Sequence, residues 1–194
     1  MYEYIKGKLV ERTPAYAVIE SNGIGYLLNI SLQTYARLKE EEPCMLYTHL
    51  VVREDDMLLF GFANVEEREL FRLLISVSGV GVNTARIILS SLTAVEITRA
   101  IVTADAPMLQ RINWIGSKTA QRIIIDLKDK LSREPVYQEK TGFVNNTKRD
   151  EALSGLMTLG FQKMAAVKAL DKVIDNNGSS LPVEELIRNA LKIL

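Results

Sequence analysis

Two short stretches of this chain could hold an anion using main-chain atoms alone. Ser78-Gly79-Val80-Gly81 and Asn113-Trp114-Ile115-Gly116 each separate an apolar helical segment from a second segment that continues as Thr-Ala. Sliding the middle of the chain along itself by 35 residues superposes them. Leu74 falls on Leu109, Gly81 on Gly116, Thr84 on Thr119, Ala85 on Ala120 and Ile88 on Ile123, with Val77/Ile112 and Val80/Ile115 as apolar equivalents. Two copies of one helix-turn-helix unit are expected. In each, glycine permits a tight turn, and the helix that follows presents its unpaired first-turn N–H groups, the positive end of its dipole, to an incoming anion. A single Gly-x-Gly before a helix is commonly only a cap. A second copy at a fixed offset, in a region of net positive charge, makes phosphate the favoured ligand.

The other chemistry-bearing cluster is Glu54-Asp55-Asp56. It can be read as a solvated turn, as a metal-nuclease site, or as an electrostatic element. The metal reading is the weakest, because magnesium sites gather carboxylates from separate elements while three successive residues at one turn point apart. Placed beside a phosphate-binding module, the same carboxylates would repel phosphate and shape the path of strands that approach it. Cys44 and His49 are the only residues of their types. They can form neither an internal disulfide nor a usual structural zinc site, and strand packing is the expected role.

The elements that must position these groups change character along the chain. Tyr2 to Val10, Ala15 to Glu20, Ile24 to Ile30, Met45 to Val52 and Met57 to Phe62 are short runs rich in Val, Ile, Leu, Tyr and Phe, which predicts five strands. Asn22-Gly23 predicts a type I′ hairpin between the second and third, and Leu32 to Glu40 a helix between the third and fourth. That layout is an OB-type barrel, with the acidic trio at the hairpin tip between the last two strands. From Val65 the period becomes helical, with Val65, Leu70, Leu73, Leu74 and Val77 spaced to share a face. Further helices are expected over Asn83 to Ser90, Ala94 to Ala104, Ala106 to Ile112 and Ser117 to Leu131. Periodicity fails between Ser132 and Arg149, where Pro135, Gly142, Asn145 and Asn146 sit among charges, as in a flexible linker. Asp150 to Leu159, Lys163 to Ile174 and Pro182 to Ile193 then predict a three-helix bundle, small and suited to docking. The expectation is a multidomain α+β chain: barrel at 1–63, tandem hairpins at 64–134, linker at 135–149 and bundle at 150–194.

The charge supports that division. Its 24 Lys and Arg balance 24 Asp and Glu, which argues against a uniformly basic surface. Sorted by region, however, the barrel carries −3, the hairpin region +2, the linker +2 and the bundle −1. Neutrality hides an acidic front and a basic middle. Hydrophobic residues at 47% with 25% charged residues are the composition of an ordinary folded protein. Glu3, Lys6, Lys8, Glu11 and Arg12 leave no apolar leader, and no run reaches membrane-spanning length, so a cytoplasmic chain with no membrane partner is expected.

The repeated turns resemble the tandem helix-hairpin-helix motif, which holds the DNA backbone through main-chain N–H groups without reading sequence. The whole chain resembles the RuvA family, the Holliday-junction-binding subunits of the bacterial branch-migration complex. The resemblance rests on Val51-Val52-Arg53-Glu54-Asp55 before Leu58-Leu59-Phe60-Gly61-Phe62, on Gly79-Val80-Gly81, and on Ile115-Gly116-Ser117-Lys118-Thr119-Ala120 running into Asp126-Leu127-Lys128-Asp129. It implies a homotetramer, or an octamer of two stacked tetramers, that holds an open junction on a basic concave face during recombination and repair. Glu54 and Asp55, with Asp56 beside them, would form the central acidic pin. Gly79, Val80, Gly81, Asn83 and Thr84 would hold DNA at one turn, and Ile115, Gly116, Ser117, Lys118, Thr119 and Arg122 at the other.

The resemblance further implies that the bundle binds RuvB, a ring ATPase, and leaves the RuvC resolvase as another candidate partner. Gly116-Ser117-Lys118-Thr119 only imitates the end of a nucleotide-binding P-loop, so the motor must be a separate chain. Leu156, Leu159, Gly160 and Phe161, around a Leu-Gly-Phe turn like that of ubiquitin-associated (UBA) domains, are the candidate motor contacts, with core packing the alternative. No cofactor, metal or catalytic residue is expected. The rival is a helix-hairpin-helix glycosylase or nuclease, for which Asp126 and Asp129 lack an obvious pocket-forming domain. Three positions depart from the family pattern. Trp114 stands for a glycine and resists positive φ, which predicts a reshaped second turn. Asn83 and Ser117 stand where lysine is common, leaving Lys118, Arg122 and Arg86 as the charged contacts.

Overall fold

The computed structural model describes residues 2–39, 43–133, 148–177 and 181–194, and the chain divides into two compact units, Met1–Gln138 and Glu139–Leu194. The first opens with five strands: β1 (Tyr4–Arg12), β2 (Tyr16–Ser21), β3 (Ile24–Ile30), β4 (Cys44–Val52) and β5 (Met57–Phe62), with helix α1 (Leu32–Arg37) between β3 and β4. They close a barrel in the order β1-β2-β3-β5-β4, antiparallel except for β3 against β5, where Asn29 and Ile30 pair with Phe60 and Gly61. Asn22 (φ 51°) and Gly23 (φ 80°) make the tight turn between β2 and β3. Closure requires β1 to leave β4 after Gly7 and continue along β2 from Lys8. At that crossing the backbones approach so closely that a Cβ on Gly7 would lie 2.0 Å from the Glu20 carbonyl oxygen. Ile5, Ala17, Ile19, Leu28, Ile30 and Leu46 fill the interior.

Five helices follow in the same unit: α2 (Val65–Ile75), α3 (Val82–Ser91), α4 (Ala94–Val102), α5 (Ala106–Gln110) and α6 (Ser117–Arg133). Their core runs into the barrel through Phe60 and Phe62, which stack on Phe71 with centroids 5.0 Å away in each case. Leu70 and Leu74 are buried on α2 and Val77 just beyond its end, but Leu73 is half-buried and Val65 is exposed. Cys44 is buried, which pushes its thiol up. His49 packs edge-on against Phe71 and accepts from Arg72 Nε at 3.4 Å; burial, then the positive Arg72 and Arg68, hold its pKa below the usual imidazole value. Both residues are strand packing.

Where α1 meets α2 the contact is polar. Glu67 on α2 is 4% exposed and its carboxylate accepts from the hydroxyls of Ser31 and, at 2.8 Å, Thr34. Thr34 Oγ1 accepts in turn from Ala63 N, and Ser31 caps α1. Desolvation pushes the Glu67 carboxyl above the usual carboxylate value, against the two hydroxyl bonds, the positive Arg37 and the Ala63 amide. The folded state therefore holds the proton more tightly than the unfolded chain. The associated stability is present below the unfolded value and is lost as pH rises through the folded one. Glu67→Gln, which cannot ionise, should show a flatter dependence of melting temperature on pH above the ordinary carboxylate range. The gap to the wild type should open in the variant's favour as pH rises; parallel curves would show that ionisation of Glu67 does not govern this contact.

The second unit holds α7 (Lys148–Thr158), α8 (Lys163–Asn177) and α9 (Val183–Ala190) around Ala152, Leu156, Ala166, Leu170, Val173 and Leu186. Helix α7 begins two residues before the expected start, and Arg149 pairs with Asp171 of α8 at 2.6 Å. The rest of the expected linker, 135–147, lies outside the described residues. Among the described residues no helix is long and apolar enough to cross a membrane, and no three His, Cys, Asp or Glu side chains gather to hold a metal.

Candidate nucleic-acid interface

The 35-residue repeat is reproduced in the hydrogen bonds that build the two turns. Val77 N donates to Leu74 O, Val80 N to Val77 O (3.0 Å) and Ala85 N to Gly81 O (2.9 Å). The second turn repeats all three: Ile112 N to Leu109 O, Ile115 N to Ile112 O (3.1 Å) and Ala120 N to Gly116 O (3.0 Å). Burial repeats as well. Val77, Val80, Ile112 and Ile115 point into the core, while Ser78, Gly79, Gly81, Asn113, Trp114 and Gly116 are exposed. Val80 and Ile115 thus contribute to each turn by anchoring it, with side chains buried and amides already donating inward.

What remains outside is a set of helix-start donors. Ser31, Asn64, Thr93 and Asp105 each close a helix with a side-chain oxygen, but α3 opens on Gly81, which has no side chain to cap it. The N–H groups of Val82, Asn83 and Thr84 are left without a side-chain acceptor, at the positive end of the α3 dipole. In the second copy Gly116 takes the same place, followed by exposed Ser117 and Lys118 and half-buried Thr119. Asn83 and Lys118 are repeat equivalents, both exposed, so one turn carries a neutral amide where the other carries an ammonium.

Trp114 does not reshape the second turn. It adopts φ 73°, beside 88° for its repeat equivalent Gly79, and the hydrogen bonds on either side are unchanged. Ile112 and Ile115, locked in the core, dictate the backbone between them and override the local preference of the side chain. Arg122 and Arg86 are partly committed within the protein. Arg122 on α6 reaches back 44 residues, its Nη1 donating to Ser78 O at 3.0 Å, and so places a guanidinium beside the first turn. Arg86 Nη1 donates to Ala15 O and Asn29 Oδ1, both at 3.2 Å, and ties α3 to the barrel.

The acidic hairpin is equally well defined. Val52 and Met57 are the last ladder pair, and Arg53 N donates to Asp56 O at 2.8 Å, which leaves Glu54 and Asp55 as the loop. All three acids are exposed, but Asp56 folds its carboxylate back onto Met57 N at 2.8 Å. Glu54 and Asp55 point to solvent at the tip. Asp126 and Asp129, weighed for a catalytic role, lie exposed on α6.

Family models match each part of the chain: "RuvA N terminal domain" at residues 1–61, "SAM-like Helix-hairpin-helix tandem" at 71–129, and "RuvA, C-terminal domain" at 147–194. The chain is 48% identical over 194 residues to a protein of Christiangramia forsetii named Holliday junction branch migration complex subunit RuvA, with both chains fully covered. It is 45% identical to proteins of that name from Bacteroides fragilis and Flavobacterium psychrophilum, again over the full length of both. This chain belongs to the RuvA family. The barrel, tandem hairpins and C-terminal helices are therefore the RuvA arrangement, and the names of its relatives support a junction-binding reading over a glycosylase.

In the RuvA C-terminal unit the four candidate contacts have different placements. Leu156 is fully buried, and Phe161 packs against the same core. Phe161 N donates to Leu156 O and Gly160 N to Met157 O, with Gly160 at φ 97°, which is a Schellman ending of α7. Leu159 is 60% exposed, with Met157 and Met164 exposed nearby in sequence.

Proposed function

We propose that this chain is a non-catalytic subunit that binds four-way junction DNA, holds it open and square, and brings the separate RuvB ATPase to it for branch migration in recombination and repair. The observation that carries this reading is the pair of hydrogen-bonded turns, each opening a helix on glycine, in a chain of the RuvA family. Gly79, Gly81, Asn83 and Thr84 in one turn, and Gly116, Ser117, Lys118 and Thr119 in the other, hold phosphates. Arg122 adds positive charge beside the first. A homotetramer, single or stacked as an octamer, would gather four copies of the Glu54-Asp55 tip at the branch point, where their charge keeps the centre clear of strands. Leu159 and its exposed neighbours offer the motor an apolar contact.

Gel-shift titration with a four-way junction and a linear duplex of the same sequence tests the reading, with tighter binding to the junction the expected result. Equal affinities would overturn it. The same titration at several salt concentrations checks the charge assignment. Each phosphate neutralised by Lys or Arg adds about 0.9 to the slope of log K against log salt. An Asn83→Lys, Ser117→Lys variant should therefore show a steeper slope than the wild type, and equal slopes would place those residues away from phosphate.

A further inference from the structure

Trp114 is the single tryptophan of the chain and occupies the place that Gly79 holds in the first turn. Glycine enters the left-handed region freely, whereas a bulky L-residue there is disfavoured. Burial does not offset that cost: the side chain is 85% exposed, and among the described residues no ring stacks on it. The turn thus holds its largest apolar face in water, directly before the helix-start donors of Gly116 to Thr119. The first turn differs at the same place. There the Arg122 guanidinium lies beside the backbone, so close that a Cβ on Gly79 would be 3.5 Å from its Nη1. At this one position the first turn has a guanidinium and the second an indole, the second turn's own cation, Lys118, standing four residues further on.

We propose that Trp114 is a DNA-contacting side chain whose indole lies against a deoxyribose of the strand held by the second turn, an inference that rests on the phosphate-holding role of that turn. The occupant follows from what adjoins a phosphate. In every nucleotide the neighbouring apolar surface is the sugar, which is present whatever the base. An aromatic face can cover it, and the indole N–H can donate to a phosphate oxygen. A contact of this kind reads neither sequence nor branching. It adds affinity equally on junction and duplex arms.

The lone tryptophan makes the test direct. Full-length protein is titrated with a four-way junction and with linear duplex while tryptophan emission is recorded, at protein concentrations where emission is insensitive to dilution. Affinities of Trp114→Gly and Trp114→Phe are measured by anisotropy of the labelled DNA. The wild-type emission should quench or shift to shorter wavelength as DNA saturates. Trp114→Gly should bind both DNAs about tenfold more weakly, and Trp114→Phe should recover most of the loss. Since glycine relieves the left-handed strain, the melting temperature of Trp114→Gly should not fall.

Unchanged emission together with unchanged Trp114→Gly affinity, in a protein that still prefers junctions, overturns the contact and leaves the junction-binding function standing. Emission that varies with protein concentration in the absence of DNA overturns it in favour of an indole buried between copies. A tryptophan response and a Trp114→Gly loss on both DNAs, without junction preference in the wild type, supports the contact while overturning the junction-specific reading.

Discussion

A chain carrying Glu54→Gln and Asp55→Asn is expected to bind linear duplex more tightly than the wild type and to lose most of its preference for four-way junctions. The tip presents both carboxylates to solvent on a two-residue loop closed by the Arg53–Asp56 backbone bond. A carboxylate held near 4 Å from a phosphate is repelled by about 1 kcal/mol in water and about 4 kcal/mol at the effective dielectric of a protein surface. A continuous duplex lying across the tip meets that repulsion, whereas an open junction offers a strand-free centre. Neutralising both acids should shift the junction-to-duplex affinity ratio by about tenfold or more, and the shift should shrink as salt screens the field. The replacements match the originals in shape and are exposed, so stability should hold within about 0.5 kcal/mol. Asp56→Asn alone should matter less, because the Asp56 carboxylate is turned back onto Met57 N. Parallel gel-shift titrations of both DNAs decide the matter; an unchanged ratio would make the hairpin a solvated turn.

What could be read from the sequence was whatever repeats or alternates locally. Strands β3 and β5 fall on the expected residues because turn chemistry bounds them on both sides. The tandem turns were legible because one offset carries both the burial pattern and the backbone bonds. Long-range partners left no such trace. Glu67 looks like any first-turn acid of a capped helix, and its burial follows from the meeting of α1 with α2. Arg68 likewise reads as a surface cation, yet it is 4% exposed and paired with Glu3, 65 residues away. Arg122 reads as a free phosphate ligand until α6 brings it to Ser78. Trp114 shows a local rule giving way, since the buried residues two before and one after it leave its backbone no alternative. In the bundle, Leu156 and Leu159 are chemically identical, and only the end of α7 separates the one that packs from the one that stays exposed.

Asn83→Asp combined with Lys118→Asp is expected to abolish most DNA binding while leaving the fold intact. These are equivalent second positions of α3 and α6, both exposed. A carboxylate there interacts favourably with the helix dipole, by about 0.3–1 kcal/mol at each terminus, whereas the lysine it replaces in α6 interacts unfavourably. The folded chain should therefore melt no lower than the wild type. For a phosphate approaching the same N–H groups the sign reverses, because like charges opposed across an interface cost several kcal/mol. Loss of about a hundredfold or more in affinity should follow for junction and duplex alike, since both present the same phosphates. Glu54 and Asp55 are untouched, so whatever binding persists at low salt should keep its preference for junctions. Circular dichroism melts beside anisotropy titrations separate the two effects. Retained affinity would move the phosphate sites away from the hairpin turns, and a lowered melting temperature would mean that the two helix starts need the residues they have for folding as well as for binding.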